Sequence, residues 1–193
     1  MSNISEKQFG DYIMRIFYDE CPTDPREDFN LTKMVCFHKR YNLGDEHDFK
    51  ADDFDSWDEM EKYLTGVEKP IVIKPLYMYD HSGITIKTSP FGDRWDSGQV
   101  GFVYIRKEDV RDEFNIKRCG QRITERCDVL LEGEIEIYDQ YLQGQVYGYE
   151  IVKVTDGVEE GMERCGDYFD EEQCLYDARV SIEWFLQNDK VEA

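Results

Sequence analysis

The chain has 193 residues, of which 40% are hydrophobic and 14% aromatic. This length suits one domain, and aromatic side chains bury a large area each, so the composition excludes a chain that is disordered throughout. Lys and Arg number 23 against 43 Asp and Glu, which gives a formal net charge of −20. Because such a charge repels nucleic acid and anionic lipid, we expect a basic protein partner, with no direct nucleic-acid binding and no membrane binding.

The sequence shows neither export nor membrane signals. Residues 1–7 lack the apolar stretch of a signal peptide, and no run approaches the roughly 20 apolar residues of a membrane span. The cysteines are Cys21, Cys36, Cys119, Cys127, Cys165 and Cys174. None forms a CxxC pair, so zinc-finger and thioredoxin patterns are absent. We therefore expect reduced thiols and a cytoplasmic protein.

Apolar periodicity and turn residues predict the elements in chain order. Strands are predicted over 9–18, 34–38, 71–79, 84–88, 100–105 and 146–155. Helices are predicted over 57–64, 107–114, 121–142 and 171–186, with an acidic loop over 156–170. Ser56 and Glu59 form a capping box at the start of the first helix, which Gly66 should end, and Pro75 indicates an edge strand or a bulge.

The order of these elements predicts the fold class. Strands and helices do not alternate regularly, so we expect an α+β fold with a mostly antiparallel sheet. One long helix and two or three shorter helices should pack on that sheet, in a single compact domain over residues 1–193 with an acidic C-terminal third.

The negative charge is concentrated towards the end of the chain. Residues 1–69 carry a net charge of −8 and residues 70–129 a net charge of +1. Residues 130–193 hold 17 acidic and 4 basic residues, a net charge of −13. The last third is therefore the acidic pole of the sequence.

The long predicted helix could present part of this charge as a row. At 100° per residue, five acidic residues fall within about one quarter of its circumference; they are Glu125, Asp128, Glu132, Glu136 and Asp139. A helical rise of 1.5 Å per residue spaces them by about 5–6 Å, close to the spacing of phosphates along DNA. We therefore predict a partner-binding face that imitates phosphate, with an ordinary solvated helix face as the alternative. Glu134 falls on the apolar side and needs a partner, for which Arg106, Arg118 and Arg122 are candidates.

Catalytic and metal motifs are weak. Ser82 and Ser97 do not lie in GxSxG, and His81 follows Asp80 directly in a predicted turn. The acidic stretch 45–55 does not match an EF-hand loop. The segment Trp95–Gly98 indicates a structured loop, with Trp95 as a candidate anchor in the core. We therefore predict no enzyme activity, no catalytic residues, no metal and no cofactor.

Four stretches resemble an uncharacterised family of acidic proteins encoded on phages, plasmids and other mobile elements. They are residues 34–45, 76–85, 95–104, and 138–142 together with 146–149. The chain departs from the family pattern at 91–94, where the family has a Cys-Pro pair, and near 165–168, where it has a Trp-Gly-Phe run. These departures argue against a shared cysteine site. The family has no established reaction, so the resemblance implies a mobile element in a bacterial host cell rather than a chemistry.

Three hypotheses follow. The first is an acidic interaction protein, in its most specific form a DNA mimic that inhibits a host defence nuclease, as anti-restriction and anti-CRISPR proteins do. The second is a small enzyme or ligand-binding protein that uses the loops Asp80–Gly83 and Trp95–Gly98. The third is an accessory phage protein whose acidity serves only solubility.

Overall fold

The computed structural model describes residues 3–93 and 95–192, with residues 190–192 described by their helical backbone alone. It confirms the α+β class. The strands are β1 (Asn3–Phe9), β2 (Tyr12–Tyr18), β3 (Thr32–Cys36), β4 (Pro70–Asp80), β5 (Ile84–Lys87), β6 (Ser97–Arg106), β7 (Tyr147–Thr155) and β8 (Val158–Tyr168). The helices are α1 (Trp57–Val67), α2 (Lys107–Glu113), α3 (Gln121–Leu142) and α4 (Glu171–Glu192), with a 3-10 turn at Ala51–Asp53.

The chain divides into two compact units, whereas the sequence indicates a single domain. Unit 1 comprises residues 1–23 and 144–193, and unit 2 comprises residues 24–143. The division arises because the C-terminal strands pair with the N-terminal hairpin: β2 lies antiparallel to β7. Unit 1 therefore combines two segments that are far apart in sequence, which local patterns do not reveal.

Unit 2 contains a four-stranded antiparallel sheet in the order β3-β6-β4-β5. Gly101 of β6 stands opposite Cys36 and Leu76, and a Cβ at this position would lie 1.9 Å from the carbonyl oxygen of Val35. Pro75 lies on a part of β4 where β5 has not yet begun to pair, next to a register shift after Leu76. The expectation of an edge or a bulge at Pro75 is thus met locally, although β4 is an inner strand of the sheet.

Helices cover both faces of this sheet. On one face, α3 packs Cys127, Leu131 and Ile135 against strand residues that include Val103 and Ile105. On the other face, the alternate residues of the same strand, Phe102 and Tyr104, pack against Met60 and Leu64 of α1. The Oγ of Ser56 accepts from the amide of Glu59, and the Glu59 carboxylate accepts from the amide of Asp55. This cap starts α1 where predicted, but Gly66 lies inside the helix rather than ending it.

Unit 1 contains a second antiparallel sheet, in the order β1-β2-β7-β8. The helix α4 lies on one face, where Cys174, Ala178 and Ile182 are buried against residues of β2 and β7. The residues that contribute from the two strands are Tyr12, Met14, Ile16, Tyr149 and Ile151. This core follows the periodicity predicted for the C-terminal helix.

Several sequence predictions for unit 1 are wrong. Residues 3–18 form a hairpin of two strands rather than one strand, with Gly10 at a φ of +62° in the turn. The predicted acidic loop over 156–170 is largely the strand β8, whose charged residues hide any alternation. Within the described residues α4 is as long as α3, at 22 residues, because it continues beyond Leu186, and the antiparallel strands form two sheets.

Candidate functional site

The five carboxylates predicted to form a row lie on α3, and three of them are bound within unit 2. Asp128 and Glu132 both pair with Lys74 of β4, at 2.6 and 2.9 Å from its Nζ. Glu132 also accepts from the Oγ1 of Thr88 at 2.8 Å. Burial of the ammonium opposes its charge, but the hydrogen bonds that it donates to the two carboxylates outweigh this effect and raise the pKa of Lys74. Lys74 thus offsets one of the two negative charges in the middle of the row.

Asp139 binds the edge strand of the same sheet. Its Oδ1 accepts from the backbone amide of Ile86 at 2.7 Å and from the Oγ1 of Thr85 at 2.8 Å. Its Oδ2 accepts from the side-chain amide of Gln143 at 2.6 Å. Asp139 therefore fixes β5 against the C-terminal part of α3.

Glu125 and Glu136 are the members of the row that are exposed as whole residues, and Gln121 donates to Glu125 at 3.0 Å. The side chains of Asp128 and Glu132 are still 46% and 45% exposed beside Lys74. The row therefore acts mainly as a docking surface for the sheet of unit 2. Sequence spacing placed the five residues on one helix face correctly, but it could not show that β4 and β5 lie beside that face. This geometry weakens a phosphate-like role for the row as a whole.

Glu134 lies on the packed side of α3 as predicted, but none of the three predicted arginines is its partner. Its carboxylate accepts from the backbone amides of Leu31 and Thr32, each at 3.1 Å, and from the Thr32 hydroxyl. Arg26, whose side chain is 4% exposed, lies 3.6 Å away and also pairs with Asp45. Glu134 therefore connects α3 to the start of β3.

The two loops that carried the ligand-binding hypothesis are exposed and tied to one another. The Nδ1 of His81 lies 3.2 Å from the Oδ2 of Asp96, and the amide of Asp80 donates to the carbonyl of Asp96 at 2.9 Å. His81, Ser82 and Gly83 form an open turn, with Ser82 at a φ of +60°. Trp95 is 95% exposed, so it is not a core anchor, and the neighbouring Arg94 lies outside the described residues.

A large pocket opens elsewhere in unit 2, between the segment that follows β3 and the start of α1. Its volume is about 1060 Å³. Cys36, Leu43 and Met60 are the buried residues that line it, and Phe54 lies among the aromatic ones. Trp57 also lines it, 6.4 Å from Phe37 between ring centroids. The pocket is therefore mainly apolar and aromatic.

Basic residues stand at the same pocket. His38, Lys39 and Arg40 follow one another along its lining, and Asp55 is the one carboxylate among the lining residues described. The ring of His38 stacks on that of Tyr41, with 5.0 Å between centroids and 7° between planes. The amides of Arg40 and Tyr41 approach the Nδ1 of His38 at 3.4 and 3.3 Å, so Nδ1 is the accepting nitrogen.

Arg40 and Lys39 differ in their partners. The guanidinium of Arg40 lies over the Tyr41 ring and pairs with Asp80. No carboxylate of the described residues pairs with Lys39, which is exposed. Lys39 and Arg40 thus place positive charge beside an aromatic pocket. The sequence showed the His-Lys-Arg run, but nothing in it indicated the pocket.

The outer face of α4 forms a second candidate surface, in unit 1. Tyr176, Val180 and Trp184 are 63%, 50% and 60% exposed and follow one another at four-residue spacing, so they form one row on the helix. By the same spacing, Glu172 continues the row towards the start of α4, and Glu183 lies beside the row next to Trp184; both are exposed. Among the described residues, no Lys or Arg pairs with either carboxylate. We call these five residues the α4 outer face.

Other classes of site find no support among the described residues. Nowhere in 3–93 and 95–189 do three or more His, Cys, Asp or Glu side chains gather in a way that could hold a metal ion. All six cysteines are unpaired, and burial raises the pKa of the Cys36 and Cys174 thiols to about 12. In the part of the chain that the structure describes, no helix is long and apolar enough to cross a membrane.

Comparison with known proteins gives no identity. No family model matches the chain, and neither a curated protein nor a solved structure is similar to it. The resemblance to acidic proteins of mobile elements therefore stays a prediction, and functional arguments depend on the two candidate surfaces themselves.

Proposed function

We propose that the protein is an acidic interaction protein that binds a basic surface of another protein, with the α4 outer face at the centre of the contact. In its most specific form, that basic surface is the nucleic-acid-binding groove of a host defence nuclease, which the protein inhibits by occupying it. The observation that carries the proposal is the exposed row of Tyr176, Val180 and Trp184 beside two carboxylates that have no basic partner among the described residues.

The composition of the α4 outer face supports a protein contact. Tyr and Trp are the residues that most often dominate the energy of protein interfaces, because each buries a large area at a small cost in side-chain entropy. The buried side of α4 is already complete without them, since Cys174, Ala178 and Ile182 fill the contact with the sheet. The outer row therefore lies outside the buried core of unit 1, although Trp184 packs edge to face against Phe185, with 5.0 Å between ring centroids.

The charge of unit 1 supports a basic partner. Its 73 residues hold 17 acidic and 6 basic residues, a net charge of −11. A second copy of this chain would bring the same negative charge to the contact and be repelled, whereas Lys and Arg around an apolar patch would complement it. An acidic surface also speeds the encounter with a basic partner at low ionic strength.

The test uses binding from a bacterial host lysate, followed by an assay on the purified partner. The variant Tyr176→Ser/Val180→Ser/Trp184→Ser should keep the circular dichroism spectrum of the wild type but lose the partner. Val129→Ser, which changes a residue that is 74% exposed on α3, is the matched control and should keep the partner. Duplex DNA should compete with the protein, and binding should weaken steeply with salt.

Charge reversal distinguishes the contributions of α3 and α4 to partner binding. Glu172→Lys/Glu183→Lys should abolish binding, whereas Glu125→Lys/Glu136→Lys makes the same change in charge on α3 and should have little effect. If the α4 variants captured as much partner as the wild type does, the proposed site would be wrong. A loss of binding confined to the α3 variant would instead support the acidic row predicted from the sequence as the binding site. If duplex DNA did not displace the protein from its partner, the DNA-mimic form of the proposal would be wrong.

A further inference from the structure

We infer that the pocket between residues 36–43 and the start of α1 binds a nucleoside phosphate, with the base against the aromatic side chains and the phosphate at Lys39 and Arg40. This inference is independent of the proposed function, because every residue that it uses lies in unit 2. It also departs from the ligand-binding hypothesis based on sequence, which used the loops Asp80–Gly83 and Trp95–Gly98.

The size and lining of the pocket fit a small planar ligand. Ligand sites usually measure about 300–1,000 Å³ and combine apolar walls with a few polar groups. This pocket measures about 1060 Å³, and Phe37, Tyr41, Phe54 and Trp57 line it. Aromatic side chains stack on any nucleobase, since every base offers a planar π surface. The aromatic lining therefore accounts for recognition of the base.

The charges of the lining select an anion. Lys39 has no carboxylate partner among the described residues, so its ammonium is free to meet a phosphate. Arg40 is held in place by Asp80 and by the ring of Tyr41, which leaves further donors of its planar guanidinium for a second anion. Asp55 supplies an acceptor for an amino group of the base or a hydroxyl of the sugar.

The start of α1 adds little to this recognition. Its amides favour anions as those of any helix N-terminus do, but the carboxylates of Asp58 and Glu59 lie in the first turn and already offset that field. Binding of phosphate therefore depends on the two basic side chains, and their removal is the informative change.

Trp57 provides the measurement. In the Trp95→Phe/Trp184→Phe background it is the only tryptophan left, and it lines the pocket. Adenosine 5′-diphosphate and guanosine 5′-diphosphate should change its fluorescence saturably, adenosine should bind about tenfold more weakly, and inorganic phosphate should give no change. Lys39→Ala should raise the Kd of the diphosphates about tenfold, whereas Lys62→Ala, an exposed lysine of α1 outside this pocket, should leave it unchanged.

The outcomes are decisive because Lys39 makes no contact that the fold needs. If neither diphosphate changes the fluorescence at millimolar concentration, the pocket is not a nucleotide site. If both diphosphates bind but Lys39→Ala and Lys62→Ala have the same Kd for them, Lys39 does not bind the phosphate and the inference fails. Loss of binding to a protein partner by variants of α4 would leave these titrations unchanged, so the two ideas fail separately.

Discussion

The helices α3 and α4 are both 22 residues long, and each packs one apolar side on a four-stranded antiparallel sheet. They use their carboxylates in opposite ways. On α3, the acidic side chains at 128, 132 and 139 bind Lys74 and the hydroxyl and amide groups of the β5 region. On α4, Glu172 and Glu183 remain exposed beside an apolar row.

The contrast shows that the role of a row of acidic side chains depends on the strand that packs beside it. Donors on a neighbouring strand convert such a row into an internal contact, because a carboxylate bound to amides and hydroxyls stabilises the packing of the two elements. Without such donors, the same residue types stay available to another molecule. Substitutions on the two helices should therefore differ in their effects on stability.

Removal of the Glu134 carboxylate should have the largest effect. Glu134→Ala leaves the amides of Leu31 and Thr32 and the Thr32 hydroxyl without their acceptor, and each buried donor without a partner costs about 1–3 kcal/mol. Arg26 keeps its pairing with Asp45 in this variant. Urea unfolding, followed by circular dichroism, measures the change. Glu136→Ala, an exposed position two residues further along α3, should change stability by less than about 0.5 kcal/mol. Equal losses for the two variants would contradict an internal role for Glu134.

Asp139→Ala should have an intermediate effect. It removes acceptors from Thr85 and Ile86, which should cost about 1–2 kcal/mol because a charged acceptor is lost from a half-buried contact. Hydrogen exchange should locate the effect, since the amide of Ile86 loses its partner and should exchange faster. Glu125→Ala is the matched control on the same helix face and should leave this amide unaffected. Unchanged protection of Ile86 in Asp139→Ala would show that β5 does not depend on α3.

The smallest effect concerns the end of α4. Asp189 accepts from Lys153 at 2.9 Å and from the hydroxyl of Tyr12 at 2.8 Å, and these hydrogen bonds, that of Lys153 first, lower the pKa of Asp189 below 3.8. Because the pKa of Asp189 is lowered in the folded protein, the stabilisation is present at neutral pH and is lost as the pH falls below the ordinary pKa and through the lowered one. NMR titration of the Asp189 carboxyl should show its pKa return towards 3.8 in Lys153→Met.

Lys7→Met serves as the control for that titration. It removes another lysine of unit 1, one that lies over Phe9 and does not contact Asp189. An Asp189 pKa that is the same in the wild type and in both variants would show that the tie between α4 and β7 is absent in solution.

The sequence predicted elements well where apolar periodicity is strong. The bounds of α3 agree at both ends, Gln121 and Leu142, because its apolar side repeats with the helical period over six turns. Prediction from apolar periodicity failed for β8, because its exposed Glu, Gly and Arg residues show no alternation of apolar and polar side chains. A local signal was nevertheless present: Asp156 and Gly157, both with positive φ, form the two-residue turn that joins β7 to β8, and Asp-Gly is a strong hairpin signal.

The candidate sites were harder to predict because they depend on strand order. Nothing local to Asp128 or Glu132 shows that Lys74, more than 50 positions earlier in the chain, lies beside them. The pocket likewise requires residues 36–43 and the start of α1 to meet, which follows from the pairing of β3 with β6. The row on α4 was within reach, since the four-residue spacing of Tyr176, Val180 and Trp184 can be read from the sequence.

The charged strand β8 lies where a sheet is most exposed to pairing with another chain. It forms an outer edge of its sheet, so its unpaired backbone groups could accept a strand from another copy of the protein. Glu159 and Glu160 lie next to one another on this strand and are exposed, and a second acidic chain would meet repulsion there. The composition that hides β8 from sequence reasoning is thus also one that disfavours edge-to-edge pairing of two sheets.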